Sequence, residues 1–151
     1  MPVDRLDPRA LMDAMQVTTL DFAPDGQSRW AGMGDYILRS PDGGHEIALR
    51  YLGEPPHGDS YHELQVDGVK LPGYAWVCNF AFTPDSKFLA ANWMAECYER
   101  RTVVIDVHER RFAVLPEHLV NFAFSEEQLV GIGESVGSSF SIAAVGEWTR
   151  F

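Results

Sequence analysis

A chain of 151 residues, 46% hydrophobic and 23% charged, has the composition of one ordinary globular domain, which sets intrinsic disorder aside. A formal net charge of −10 disfavours nucleic acid as a partner, because phosphate binding needs a basic face, and no run approaches the roughly 18 apolar residues of a membrane-spanning helix. Cys78 and Cys97 are too few for a disulfide framework and lie in apolar neighbourhoods, where buried thiols are expected.

The opening segment, MPVDRLDPRALMDAM, carries three aspartates and no long apolar stretch. That argues against a secretory signal and makes the cytoplasm the expected location. Residues 7–15 predict one short helix. Asp7 caps it, Pro8 takes the first turn, and Leu11, Met12 and Met15 share a face. We expect residues 1–17 to form a helical cap over an apolar sheet edge or face.

After Gln16 the helical period disappears. VTTLDF, DYILRS, HEIALRYL and YHELQV follow, separated by PDGQ, PDGG and PPHGD. Then come YAWVCNFAF, KFLAANWM, RTVVIDV, RFAVL, LVNFAF, QLVGIGE, SFSIAAV and EWTRF. Short runs rich in β-branched and aromatic residues, with Gly, Pro, Asp or Ser at each break, predict an all-β fold of antiparallel hairpins. SPDGGH at 40–45 is the clearest hairpin turn.

One phrase recurs. NFAFTPDS begins at Asn79, and NFAFSEEQ begins at Asn121. A fainter copy, LDFAPDG, begins at Leu20. In each copy a strand ends and a turn follows, with Pro84 presetting its φ angle and Asp85 able to bond back to its own turn. This pattern resembles β-propeller blades of the degenerate WD-repeat and TolB-like kind, which run to about 40 residues and four strands per unit. The resemblance covers 18–151 and implies architecture alone. Gly-His is absent, and Ile105–Asp106 stands where Trp-Asp would close the third strand. It divides the single domain into a cap (1–17) and blade-like, four-stranded antiparallel repeats at 18–73, 74–117 and 118–151. Propellers close with about four to eight blades. Three units therefore predict an open partial propeller or sandwich-like stack, or else two chains completing a larger ring.

The string HGDSYHE is the nearest thing to a reactive site. His57, Asp59, His62 and Glu63 are metal-ligand types, but their spacing suits neither one helical face nor one strand face. We expect no metal or cofactor there, only a solvated loop leading into a strand with His62 and Leu64 on one face and Glu63 on the other. There is no G-x-S-x-G elbow. GESVGSS lacks the lysine and helix of a phosphate loop and reads as a strand end and hairpin loop. Trp76, Cys78, Phe80 and Phe82 alternate onto one core face, as do Phe122 and Phe124. The other strand aromatics, Trp93 among them, are expected in the core as well; if one is not, it is Trp93 or Tyr98, which adjoin the polar AECYERR turn. No catalytic residue, and hence no enzyme, is expected.

The acidic residues are more suggestive as a set. In a four-stranded meander the first-to-second and third-to-fourth connections emerge on one side. Asp25, Asp85, Glu126 and Glu127 lie in connections of the first kind; Glu54, Asp59, Glu109 and Glu147 lie in or beside those of the second. One negative, partner-binding rim is expected, diluted by Lys87, His108, Arg110 and Arg111; the other rim, the alternative, would present Asp42, Asp67, Glu96, Glu99, Glu117 and Glu134. Small, acidic, single-domain chains without catalytic residues are similar in general character to bacterial immunity proteins. That resemblance, of size, charge and absent chemistry, implies a protein that binds and neutralises a basic toxin domain. The alternative is a structural β-repeat scaffold, as a monomer or as a homodimer completing a six-unit ring.

Overall fold

The computed structural model describes residues 17–54, 60–96 and 99–151, and the chain there is all-β. The helix expected over 7–15 lies outside the described residues, and no helix among those described is long and apolar enough to cross a membrane. The first unit lays β1 (Thr18–Asp21), β3 (Tyr36–Arg39), β4 (Glu46–Gly53) and β5 (Tyr61–Val66) side by side, with β6 (Val69–Lys70) folded back on β5. The second is an antiparallel meander of β7 (Tyr74–Phe82), β8 (Phe88–Met94), β9 (Arg101–Asp106) and β10 (Arg111–Val114). The third comprises β11 (Phe122–Ser125), β12 (Gln128–Gly131) and β13 (Ser139–Ser141). Two short strands cross between units. β2 (Arg29–Trp30) pairs with β7, and β14 (Thr149–Arg150) pairs with β10.

Strand alternation explains how the units stack. Leu38, Ile47, Leu49, Leu64 and Val66 of the first unit meet Phe80, Phe82, Leu89, Ala91, Val103 and Ile105 of the second in one core. The opposite face of the second unit, with Ala81, Phe88, Ala90 and Val104, meets Phe122, Phe124, Leu129 and Ile142 of the third. The second unit is thus the middle layer of three. That is why FLAANWM, the whole of β8, is buried at every position rather than at alternate ones. Each fully buried Phe or Leu contributes about 1.5–3 kcal/mol, so the repeated NFAF phrase is a core element written once per interface.

The units depart from the expected four-stranded antiparallel blades in three ways. First, β1 runs parallel to β3, with Thr18 opposite Tyr36 and Asp21 opposite Arg39. The chain leaves β1, places β2 on the second unit, and returns to start β3 at the end where β1 began. Second, β5 and β7 pair, with His62 opposite Ala75, which joins the first two units into one sheet. β7 belongs to both because Val77 and Cys78 adopt left-handed φ values of 68° and 61°, and its register to β8 shifts there. This bulge also breaks the expected face: Cys78, Phe80 and Phe82 enter the first core, whereas Trp76 lies under the Arg100 guanidinium instead. Third, the last unit has three strands. The Trp148 ring packs 6.1 Å from Phe88 and Phe151 packs 6.1 Å from Phe112, drawing the chain end across to β10.

The turn chemistry repeats more faithfully than the strands. Asp25 accepts from the Gln27 N–H, Asp42 from the Gly44 N–H and Asp85 from the Lys87 N–H, at 3.0, 2.8 and 3.1 Å. In each turn the residue after the aspartate is left-handed: Gly26 at φ 74°, Gly43 at 72° and Ser86 at 67°.

Candidate functional site

The turns at 40–45, 67–68, 83–87 and 107–110 project from one end of the stacked sheets. Asp42 N–H donates to the Ser86 hydroxyl, Asp67 accepts from Glu46 N–H, and Val107 N–H donates to the Lys87 carbonyl. The 22–28 loop and the 125–128 turn reach the same end. The Phe22 ring packs 5.0 Å from Phe82, and Phe124 N–H donates to the Gly26 carbonyl. Asp25, Asp85, Glu109, Glu126 and Glu127 therefore share one rim. Glu54 does not. It follows β4 at the opposite end, where Gly53 faces Tyr61. Asp59 lies outside the described residues.

The parallel placement of β1 and β3 causes this rearrangement. It inverts the phase of the first unit, moving Asp42 and Asp67 onto the rim and Glu54 off it. Asp25, Asp42, Asp85, Glu109, Glu126 and Glu127 have no ion-pair partner among the described residues. The rim's other carboxylates are paired: Asp21 and Glu46 with Arg39, Asp67 with His45, and Asp106 with Arg111. Arg29, Lys87, Arg110 and Arg150 are the cations nearby outside those pairs. The Gly44 N–H and then the Ser40 hydroxyl hold the Asp42 carboxyl below the usual carboxylate range, so it stays charged.

His62 lies in β5 on one face with Leu64, as expected. It alternates inward with Leu64 and Val66, as the strand period requires, and is fully buried. Its Nε2 lies 2.8 Å from the Gly34 carbonyl, so that nitrogen carries the proton and Nδ1 is left facing Cys78 Sγ at 3.1 Å. Cys78 Sγ also lies 3.2 Å from the Ser60 carbonyl. The Tyr51 and Tyr36 rings flank the imidazole edge-on at 5.5 and 6.4 Å. Burial pushes the His62 pKa down, against the Gly34 carbonyl and Asp35, and keeps the ring neutral. A thiol beside an imidazole is the start of a nucleophile and base pair, but both side chains here are spent on internal hydrogen bonds. Together they fix β5 against the β7 bulge. His57 lies outside the described residues, and no group of three or more His, Cys, Asp and Glu among the described residues is placed to hold a metal ion.

Trp93 is a core residue, buried with its indole N–H donating to the Pro72 carbonyl, and Tyr98 lies outside the described residues. The exposed tryptophan is Trp30, at 65%. Trp30 faces Asn79, whose amide donates to the Val120 carbonyl, and Val120 N–H donates to the Ser135 hydroxyl beside exposed Val136. The RWAGMG string carried no strand-like alternation to flag it. A groove of about 370 Å³ lies between the end of β10 and β13, with Val114, Leu115, Phe140 and Val145 among its walls. GESVGSS forms the expected hairpin loop, with Gly131 N–H donating to the Ser138 carbonyl.

The chain matches no protein-family model, no curated protein and no solved structure.

Proposed function

We propose that this is a non-catalytic protein-binding protein that holds a basic partner on its acidic rim, in the role of an immunity protein neutralising a bacterial toxin. The observation that carries the reading is the convergence of Asp25, Asp85, Glu109, Glu126 and Glu127, from three stacked units, onto one end of the fold. Turns capped by their own aspartates present these charges with little ordering left to do on binding. A concentrated negative rim steers a basic partner and raises the association rate, and it repels acidic ones. The three layers are read here as blade-like units of a partial propeller, a rigid frame that sets the spacing of the charges.

The test is a pulldown against the product of the adjacent upstream reading frame, with and without Glu109→Lys, Glu126→Lys and Glu127→Lys together. Retention by the unaltered chain, lost in the triple variant and at high salt, is the expected result. No retention, with no protection when that frame is expressed, overturns the reading. So does retention that the triple variant leaves intact.

A further inference from the structure

The third unit is one strand short. Its expected fourth strand, Thr149–Arg150, pairs with β10 of the second unit, so the outer edge of β13 has no strand beside it among the described residues. The direction of its backbone groups follows from its ladder. Gly131 N–H donates to the Ser138 carbonyl and Ile142 N–H donates to the Glu127 carbonyl, so 138, 140 and 142 turn toward β12. Ser139 and Ser141 therefore turn their N–H and C=O groups outward.

What lies beside that edge differs from what guards the β1 edge of the larger sheet. There β1 is flanked by the Asp21–Arg39–Glu46 ion pairs, the kind of charge that discourages strand addition. β13 reads Ser-Phe-Ser and bears no charge. It borders the groove whose walls include Val114, Leu115, Phe140 and Val145, with Glu147 also on it. The trough continues past Pro116 to Glu117. No lysine or arginine lines either part. An open row of backbone donors and acceptors recognises another backbone, apolar walls take alternate side chains, and the two carboxylates select cations.

We propose that β13 is a docking edge for an extended basic segment of a partner protein, which adds to it as the fourth strand of the third unit. The proposal rests on the reading of the protein as a binder of a basic partner and names the segment chemistry taken.

The probe is a blocked heptapeptide alternating lysine and valine, titrated into the isotope-labelled full chain. The expected result is a shift of the Ser139 and Ser141 amide resonances, with amide exchange at both slowed about tenfold or more. The same peptide N-methylated at alternate residues, and a glutamate/valine peptide, bind at least about tenfold more weakly if a backbone ladder and charge are both used. Ser141→Pro is the matching variant. Ser141 has φ −84°, close to the proline value, and its N–H makes no ladder bond to β12, so the fold is kept while the peptide is lost. No shift at millimolar peptide overturns the proposal, as does equal binding of the N-methylated peptide or a response confined to 125–128. A dimer that Ser141→Pro dissolves also overturns it, because the edge then serves a second copy. A basic partner retained by Ser141→Pro but lost by Glu126→Lys with Glu127→Lys sinks strand addition alone. The converse pattern sinks the acidic rim alone.

Discussion

The backbone N–H of Asp42 donates to the Ser86 hydroxyl at 2.9 Å, which ties the Pro-Asp turn of the first unit to that of the second. Ser86 is buried and stands at φ 67°, where the equivalent turns carry glycine. Ser86→Ala removes the acceptor, keeps the backbone strain, and is expected to cost about 1–2 kcal/mol. Ser86→Gly loses the same bond but relieves the φ, so it should cost less. Urea midpoints that rank glycine as the milder change support the account; the reverse ranking contradicts it.

Gly26 is the harder constraint. It has φ 74°, and a Cβ there would stand 2.1 Å from the Phe124 carbonyl oxygen. Its own carbonyl accepts from Phe124 N–H at 2.8 Å, so the loop and β11 are in contact over backbone on both sides. Backbone atoms have little room to yield. Gly26→Ala is expected to cost roughly 2–4 kcal/mol, and Gly43→Ala, with open space around it, well under half of that. Equal losses in thermal unfolding would show that the φ angle alone matters.

Sequence alone gives the all-β character because alternation and turn residues are local. The recurrence of Phe80/Phe82 and Phe122/Phe124 marks core strands for the same reason, and all four are buried. The placement of Glu54 is lost because it depends on whether β1 runs parallel or antiparallel to β3. That is decided by a two-residue strand, Arg29–Trp30, which no periodicity can register. The Trp76 phase is lost for a similar reason: left-handed backbone at Val77 and Cys78 carries no signal in residues that ordinarily avoid it. The burial of His62 is legible as a face but not as a depth, since its partners, Gly34 and Cys78, come from distant segments.

His62 makes stability depend on pH in a definite direction. Burial lowers its folded-state pKa below the unfolded value near 6.5, so below that pH the unfolded chain binds the extra proton. Stability is complete above pH 6.5 and falls as the pH drops below it toward the folded-state value, by at most about 1.4 kcal/mol per pH unit for one proton. His118, half-buried, is shifted the same way by burial and adds to the slope. Asp42 acts only below 3.8, outside this window. Urea midpoints from pH 7.5 to 5 should decline, and His62→Gln should flatten the decline. A flat profile in the unaltered protein means that His62 is protonated in the folded state.

Charge and fold can be separated at the rim because its aspartates do two jobs. The Oδ1 atoms of Asp25 and Asp85 accept the turn N–H of Gln27 and Lys87, and an asparagine oxygen accepts as well. Asp25→Asn with Asp85→Asn should therefore keep the caps, changing stability by less than about 1 kcal/mol. On the proposed function, the charge they remove is the part that steers a basic partner. Association should slow severalfold at low ionic strength, with its salt dependence reduced and the dissociation rate almost unchanged. Stopped-flow association at two salt concentrations reads both effects. Slower association at every salt concentration, accompanied by a lowered melting temperature, would assign the two aspartates to the turns alone and leave the steering to Glu109, Glu126 and Glu127.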